Sequence, residues 1–243
     1  MLHLFKTAAL MLLLSSFVSS LQAGQALRVG LPTPGQVPYF WQEADGEVRG
    51  IYADTLRAIA ADLQLPLEFI ELSQARLIRH FIAGEIDIEV GVSTHRGELA
   101  RLEELSLFSR PFGIVNEVII YNPELEFPAF ILKDLKGKSV ATVRGAVVPG
   151  YINRQDFASE LQIATRVHRG WSQVGLMREA SAVHYNTKAG KKYKISLPYE
   201  SNSIRLRLHR DRVELLKQID LSISRLSAAG ELENIICKYL CAD

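Results

Sequence analysis

Cysteine is nearly absent: Cys237 and Cys241 are the only two in 243 residues. A four-cysteine zinc scaffold is therefore impossible, and the chain is too long to be a disulfide-dense miniprotein. An excess of charge of either sign is also missing. Lys and Arg number 28 and Asp and Glu 27, and setting aside residues 1–23, which hold Lys6 and no acid, leaves the two signs equal. Such a balance provides no broad positive field, so no nucleic-acid partner is expected. After the N-terminus no apolar run approaches the roughly 20 residues of a membrane span. Catalytic signatures are lacking too. The chain has no G-x-S-x-G elbow, no P-loop, no G-x-G-x-x-G after a strand and no H-E-x-x-H. Its six His residues stand singly, without metal-ligand spacing, so neither a metal nor a cofactor is expected.

What is present is a 48% hydrophobic chain long enough for one or two domains with a substantial core. Residues 1–23 read as a secretory signal peptide: Lys6 near the start, an apolar run over 8–18, and a small, polar end at Ser19, Ser20, Gln22 and Ala23. Cleavage falls after Ala23 or Ala26; the alternative is an uncleaved membrane anchor. No cysteine stands at the cleavage site to carry a lipid. Export places Cys237 and Cys241 in an oxidising compartment. Four apart on a helix they share a face, leaving two readings open, a disulfide across the last turn or two free thiols.

The mature chain alternates short strands with amphipathic helices, which predicts an α/β fold. Strands are expected over 27–31, 67–72 and 86–92. Between them lie a helix from Ile51, with Leu56, Ile59, Ala60 and Leu63 on one face, and a second with the stripe Leu77, Ile78, Phe81, Ile82. This β-α-β-α-β run predicts a parallel sheet with right-handed crossovers. A second unit begins after Pro111, with strands over 116–121 and 139–143. Within it, 165–168 and 182–185 are read as short strands flanking a helical segment over 172–180, and the basic stretch 188–194 as a solvated loop. Ile204, Leu206 and Leu208 alternate with Arg205, Arg207 and His209 as a half-wet strand, followed by a helix carrying Leu216, Ile219, Ile223 and Leu226 and a terminal helix through Leu240.

The features that remain suit binding. Pro38-Tyr39-Phe40-Trp41 puts three aromatics in the loop after the first strand, at the carboxyl end of a parallel sheet, where small ligands bind; ordinary packing is the competing reading. Gly91, Ser93, Thr94 and Arg96 follow the third strand at the same end. Backbone N–H groups, hydroxyls and a planar guanidinium there could hold a carboxylate. Glu103 and Glu104 are expected on the surface.

The stretches Leu27-Arg-Val-Gly30, Pro38-Tyr-Phe40, Gly50-Ile-Tyr-Ala-Asp54, Gly84-Glu-Ile-Asp87, Phe108-Ser-Arg-Pro-Phe112, Asp134-Leu-Lys-Gly-Lys-Ser-Val140 and the tail from Leu226-Ser-Ala-Ala-Gly230 through Ile236-Cys-Lys-Tyr239, in this order, resemble the family 3 extracellular solute-binding proteins, the periplasmic receptors of amino-acid ABC importers. The resemblance implies a two-lobed fold of the type II periplasmic-binding-protein kind, each lobe a mostly parallel sheet flanked by helices, with ligand trapped by hinge closure. Residues 27–118 and 199–243 would form one lobe and the inserted 119–198 the other. It also implies a small-molecule ligand and an ABC permease as partners, a monomer, and a periplasmic location. Carried over by position, Tyr39 or Phe40 would lie against the ligand. Arg96, with Arg101 as the competing alignment, would hold its carboxylate. The turn Arg144-Gly145 would contribute from the second lobe, although Ala146 stands where the family has Ser or Thr. Ser181, before Ala182, occupies the place of the acid that pairs with a ligand ammonium, and Asn186 that of a later acid. Binding without chemistry is the expectation. The alternatives are an enzyme resembling periplasmic cyclohexadienyl dehydratases, with Glu89 as its only candidate acid or base, and an exported protein-interaction module on the same fold.

Overall fold

The structure, a computed structural model, describes residues 26–92 and 100–241. The signal-peptide reading of residues 1–23 lies outside them. The chain runs β1 (Leu27–Thr33), the ribbon β2 (Trp41–Gln42) and β3 (Val48–Arg49), α1 (Ile51–Leu63), β4 (Leu67–Ser73), α2 (Gln74–Ile82) and β5 (Ile88–Val92). It continues through α3 (Ala100–Glu104), β6 (Ser106–Phe108), β7 (Gly113–Tyr121), β8 (Ser139–Val143), β9 (Asn153–Phe157), α4 (Glu160–His168), β10 (Val174–Arg178) and α5 (Glu179–Thr187). β11 (Lys194–Ile195), β12 (Glu200–His209), α6 (Val213–Ala228) and α7 (Glu231–Leu240) complete it. Among the described residues no helix is long and apolar enough to cross a membrane.

The strands form one path, β4-β1-β5-β12-β7-β10-β8-β9. β4, β1 and β5 are parallel, as the β-α-β-α-β pattern predicts, and β10, β8 and β9 are parallel to one another. β7 and β12 join the two parallel groups antiparallel. The later half of β12, Arg205 to Leu208, pairs with β5, whereas Glu200 to Ile204 pair with β7, and the register shifts between Arg205 and Leu206. One strand thus serves both halves.

Each half has its own apolar core. In the first, Val29 and Leu31 of β1, Leu56 of α1, Leu206 and Leu208 of β12 and Ile219 and Ile223 of α6 pack together, joined by Leu226 and by Leu232 of α7. On the opposite face of this sheet Leu77 and Phe81 of α2 meet Ile86 and Leu102. In the second half Val118, Ile120, Ala141 and Met177 pack beneath Ile163, Ala164 and Val167 of α4, and Ile119, Val140 and Leu176 line the other face.

One stretch is the reverse of what the sequence suggests. Residues 165–168 belong to α4 and 182–185 to α5, while the expected helix over 172–180 contains β10. The Ser159 hydroxyl accepts from the Gln162 N–H at the start of α4, the usual satisfaction of a free first-turn donor. Val174 to Met177 are all buried. A strand covered on both faces reads as an apolar run, without the alternation that identifies half-wet strands.

Two polar clusters lock the first half. Asp87, almost wholly buried, accepts from Nε and Nη2 of Arg28, from the Arg28 backbone N–H and from Nε of Arg212, at 2.9–3.0 Å. Burial alone would raise its pKa; the bonds from Arg28, then Arg212, outweigh burial and bring it down to about 2. Glu89 pairs with the buried Arg207 at 2.9 Å, and the Arg207 guanidinium stacks over Phe81 and Phe108. Cys237 and Cys241 form a disulfide at the end of α7, which decides between the two readings of this pair. Glu103 and Glu104 are exposed, as expected.

Candidate functional site at the junction of the halves

The loop after β1 is held by the start of α1. The first N–H groups of a helix have no partner within it. Here those of Ile51 and Tyr52 donate to the carbonyls of Pro38 and Tyr39, at 3.0 and 2.8 Å. Gly50 makes this approach feasible: its φ is +117°, and a Cβ would come within 2.4 Å of the Tyr39 carbonyl oxygen. The aromatic loop is therefore a fixed feature of the surface between the halves.

Tyr39 and Phe40 are buried against Tyr52, with ring centroids 5.0 and 6.3 Å apart, and Phe112 meets the Tyr52 ring edge-on at 6.0 Å. Gly91, at the end of β5, makes room for this ring. A Cβ there would stand 2.3 Å from Tyr52 Cε2, and its φ is +75°. Burial pushes the hydroxyl pKa of both tyrosines up, so each remains a neutral O–H near pH 7 and is no proton acceptor. Trp41 takes no part. Its ring meets Tyr239 of α7 edge-on, and its Nε1–H donates to Glu43 at 2.9 Å.

The second half faces this wall with the carboxyl end of β10. Arg178 ends the strand, its guanidinium 5.5 Å from the Tyr39 ring centroid and 3.9 Å from Glu117, its register partner on β7. The Arg178 backbone N–H donates to Glu160 at 3.0 Å. Burial would ease deprotonation of the guanidinium, but the Glu160 and Glu117 carboxylates outweigh it and keep Arg178 charged. Beside it Asn116 Nδ2 donates to Glu179 at 2.7 Å, and Asn116 Oδ1 accepts from the Ser201 hydroxyl.

Of the residues singled out from the sequence, Tyr39, Phe40, Gly91 and Ser181 come to this junction. The Ser181 side chain is fully buried, and its hydroxyl donates to the Val37 carbonyl across the junction at 2.7 Å. Arg144 and Gly145 form an exposed turn after β8, held by the Arg144 N–H on the Phe157 carbonyl. Asn186 supports the 188–194 loop, donating to the carbonyls of Lys191 and Tyr193. Ser93, Thr94 and Arg96 lie outside the described residues. Arg101 is exposed and pairs with Glu104 at 3.5 Å. Glu89 is committed to Arg207.

Tyr52, Glu117 and Arg178 were missed. Tyr52 stands among the core positions of α1. Arg178 was hidden by reading β10 as helix; had the strand been recognised, its last residue would have been an obvious site position, because ligands meet parallel sheets at their carboxyl ends.

The model of the bacterial extracellular solute-binding proteins, family 3, matches residues 27–242. The chain belongs to that family. No curated protein matches it. Among solved structures the ancestral amino acid-binding protein AncCDT-1, described as a precursor of cyclohexadienyl dehydratase, is 17% identical, with a TM-score of 0.73 over 88% of this chain and 95% of that one. The GluR0 ligand-binding core in complex with L-glutamate is 18% identical, with a TM-score of 0.73 over 89% and 98% of the two chains. A P235GK mutant of ArgBP from T. maritima is 21% identical, with a TM-score of 0.72 over 89% and 96%. Identities this low speak for the fold alone. This family 3 solute-binding protein has the two-lobed α/β fold of periplasmic binding proteins.

Proposed function

We propose that the protein is an exported, monomeric receptor that captures a small polar or anionic, amino-acid-like metabolite between its lobes and delivers it to an ABC permease, without chemistry of its own. Residues 27–118 with 199–243 make one lobe and 119–198 the other, with β7 and β12 as the connecting strands and Val118 of β7 already packed in the second core. The observation that carries the reading is the pairing across the junction: Tyr39, fixed to α1 by backbone bonds, faces Arg178 at the end of β10. A ligand lodged there is touched from both lobes, so it stabilises the closed arrangement by its differential contacts.

A library of small metabolites screened by thermal shift, with hits followed by calorimetry, tests this. A ligand present at ~100 times its Kd adds about 2.7 kcal/mol to folding stability, enough to move the melting temperature measurably. Binding with the ligand recovered unchanged is the expected result. Turnover of the ligand, or no binder in the library, would overturn the proposal.

A further inference from the structure

Most charged groups at the junction are already satisfied. Glu117 has Arg178 beside it, Glu160 accepts the Arg178 backbone N–H, and Glu179 accepts from Asn116. The second Glu160 oxygen has no hydrogen-bond partner, but it is buried beyond the reach of solvent. The Arg178 guanidinium is the exception. Arg28, Arg205, Arg207 and Arg212 each donate to a protein oxygen at 3.0 Å or less. Among the described residues Arg178 donates no side-chain hydrogen bond; it has the 3.9 Å ion pair with Glu117, the nearby Glu160 carboxylate and the face of Tyr39, and its side chain is 25% exposed. A planar fork of five N–H donors, held between an aromatic face and the lobe junction, matches a carboxylate that can accept two of them.

We infer that Arg178 is the specificity-determining residue of the cleft and that it selects small organic carboxylates lacking an ammonium group, with the Tyr39 and Tyr52 rings against the ligand's carbon skeleton. The inference rests on the receptor reading above and narrows its ligand class. An ammonium brought beside Arg178 meets a like charge, and each carboxylate that could accept it would have to leave a present partner or open a buried contact. A ligand carboxylate supplies the acceptors the guanidinium lacks, and Glu117 remains to balance Arg178 when the cleft is empty.

Calorimetry on the full mature chain with matched pairs tests this: pyruvate against alanine, oxaloacetate against aspartate, phenylpyruvate against phenylalanine, with inorganic phosphate as a further anion. The oxo acid of the best pair should bind at least about tenfold more tightly than its amino acid, and phosphate more weakly than either oxo or amino acid. Arg178→Met should weaken the oxo acid about a hundredfold or more, and Arg178→Lys should recover part of the loss, since it keeps the charge without the fork. Glu117→Gln should tighten the oxo acid by removing a like charge. The ranking on the unaltered protein decides the matter even where a variant fails to fold. Tighter binding of the amino acid, tighter binding of phosphate, or an affinity unmoved in a folded Arg178→Met protein overturns this inference and leaves the receptor reading standing. If no solute of any class binds the unaltered chain, both fall together.

Discussion

The Ser181 hydroxyl donates to the carbonyl of Val37, 144 residues earlier, across the junction of the two lobes. The donor is fully buried and the acceptor lies in the loop that carries Tyr39 and Phe40, so the bond ties the start of α5 to the aromatic wall. A serine singled out for ligand contact is, in this arrangement, a contact between lobes. Replacing Ser181 by Ala keeps the backbone and removes only the donor. The Val37 carbonyl then loses its partner, and the unfolding free energy from urea titration should fall by about 1–3 kcal/mol. An unchanged value would mean that water satisfies this carbonyl and the bond contributes nothing.

Gly91 and Tyr52 form a second pair whose geometry excludes alternatives. Gly91→Ala places a methyl group on the Tyr52 ring and forces a side chain into positive φ, so it should destabilise by about 2 kcal/mol or more. In a Tyr52→Ala background the steric part disappears and the cost of the same change should drop to about 1 kcal/mol, the backbone part alone. Equal costs in the two backgrounds would contradict the contact.

Asp87 sets a pH dependence. Its folded pKa is depressed from an ordinary 3.8 to about 2 by Arg28 and Arg212, which overcome the opposing effect of burial. A depressed carboxylate contributes stability that is fully present above its unfolded pKa and is lost as pH falls through the folded one. Stability should therefore decline between about pH 4 and pH 2, by about 2 kcal/mol from this group. Unfolding curves of Asp87→Asn across that window should show a shallower slope than those of the unaltered protein, and a matching slope would assign the acid sensitivity elsewhere.

Arg96 and Arg101 compete for one role in the sequence. Arg101 is exposed on α3 with Glu104 as its partner, so Arg101→Ala should leave ligand affinity unchanged. The family alignment makes Arg96 a contact to the ligand carboxylate in addition to Arg178, so Arg96→Ala should cost on the order of 2–5 kcal/mol in affinity for a carboxylate ligand. Calorimetry with the best ligand separates the two; a loss confined to the Arg101 variant would reverse the alignment.

Periodicity carried the local information in this chain. The stripe of Leu56, Ile59 and Ala60 named α1, the step Leu77, Ile78, Phe81, Ile82 named α2, and the alternation through Ile204, Leu206 and Leu208 named β12 as a strand, but not its surroundings: Arg207 and His209, expected on a wet face, are buried, Arg207 against Glu89, Phe81 and Phe108. β10 escaped because both its faces are covered, so Val174 to Met177 show no alternation, and with it the flanking helices were misread. The disulfide needed the structure as well, since a spacing of four permits paired or free thiols and only the geometry at the end of α7 brings the sulfurs together.

The sequence by itself determined the α/β class, the run of motifs that places the chain in its family, and the aromatic loop at the end of β1, since these depend on residue order within short stretches. Only the tertiary structure decided which side chains meet. Tyr39 and Arg178 are far apart in the chain and come together because β12 and β7 join two sheets at one junction. Ser181, Glu89 and Trp41 could each have faced a ligand; they meet Val37, Arg207 and Tyr239, assigned by packing between distant segments, which no local pattern encodes.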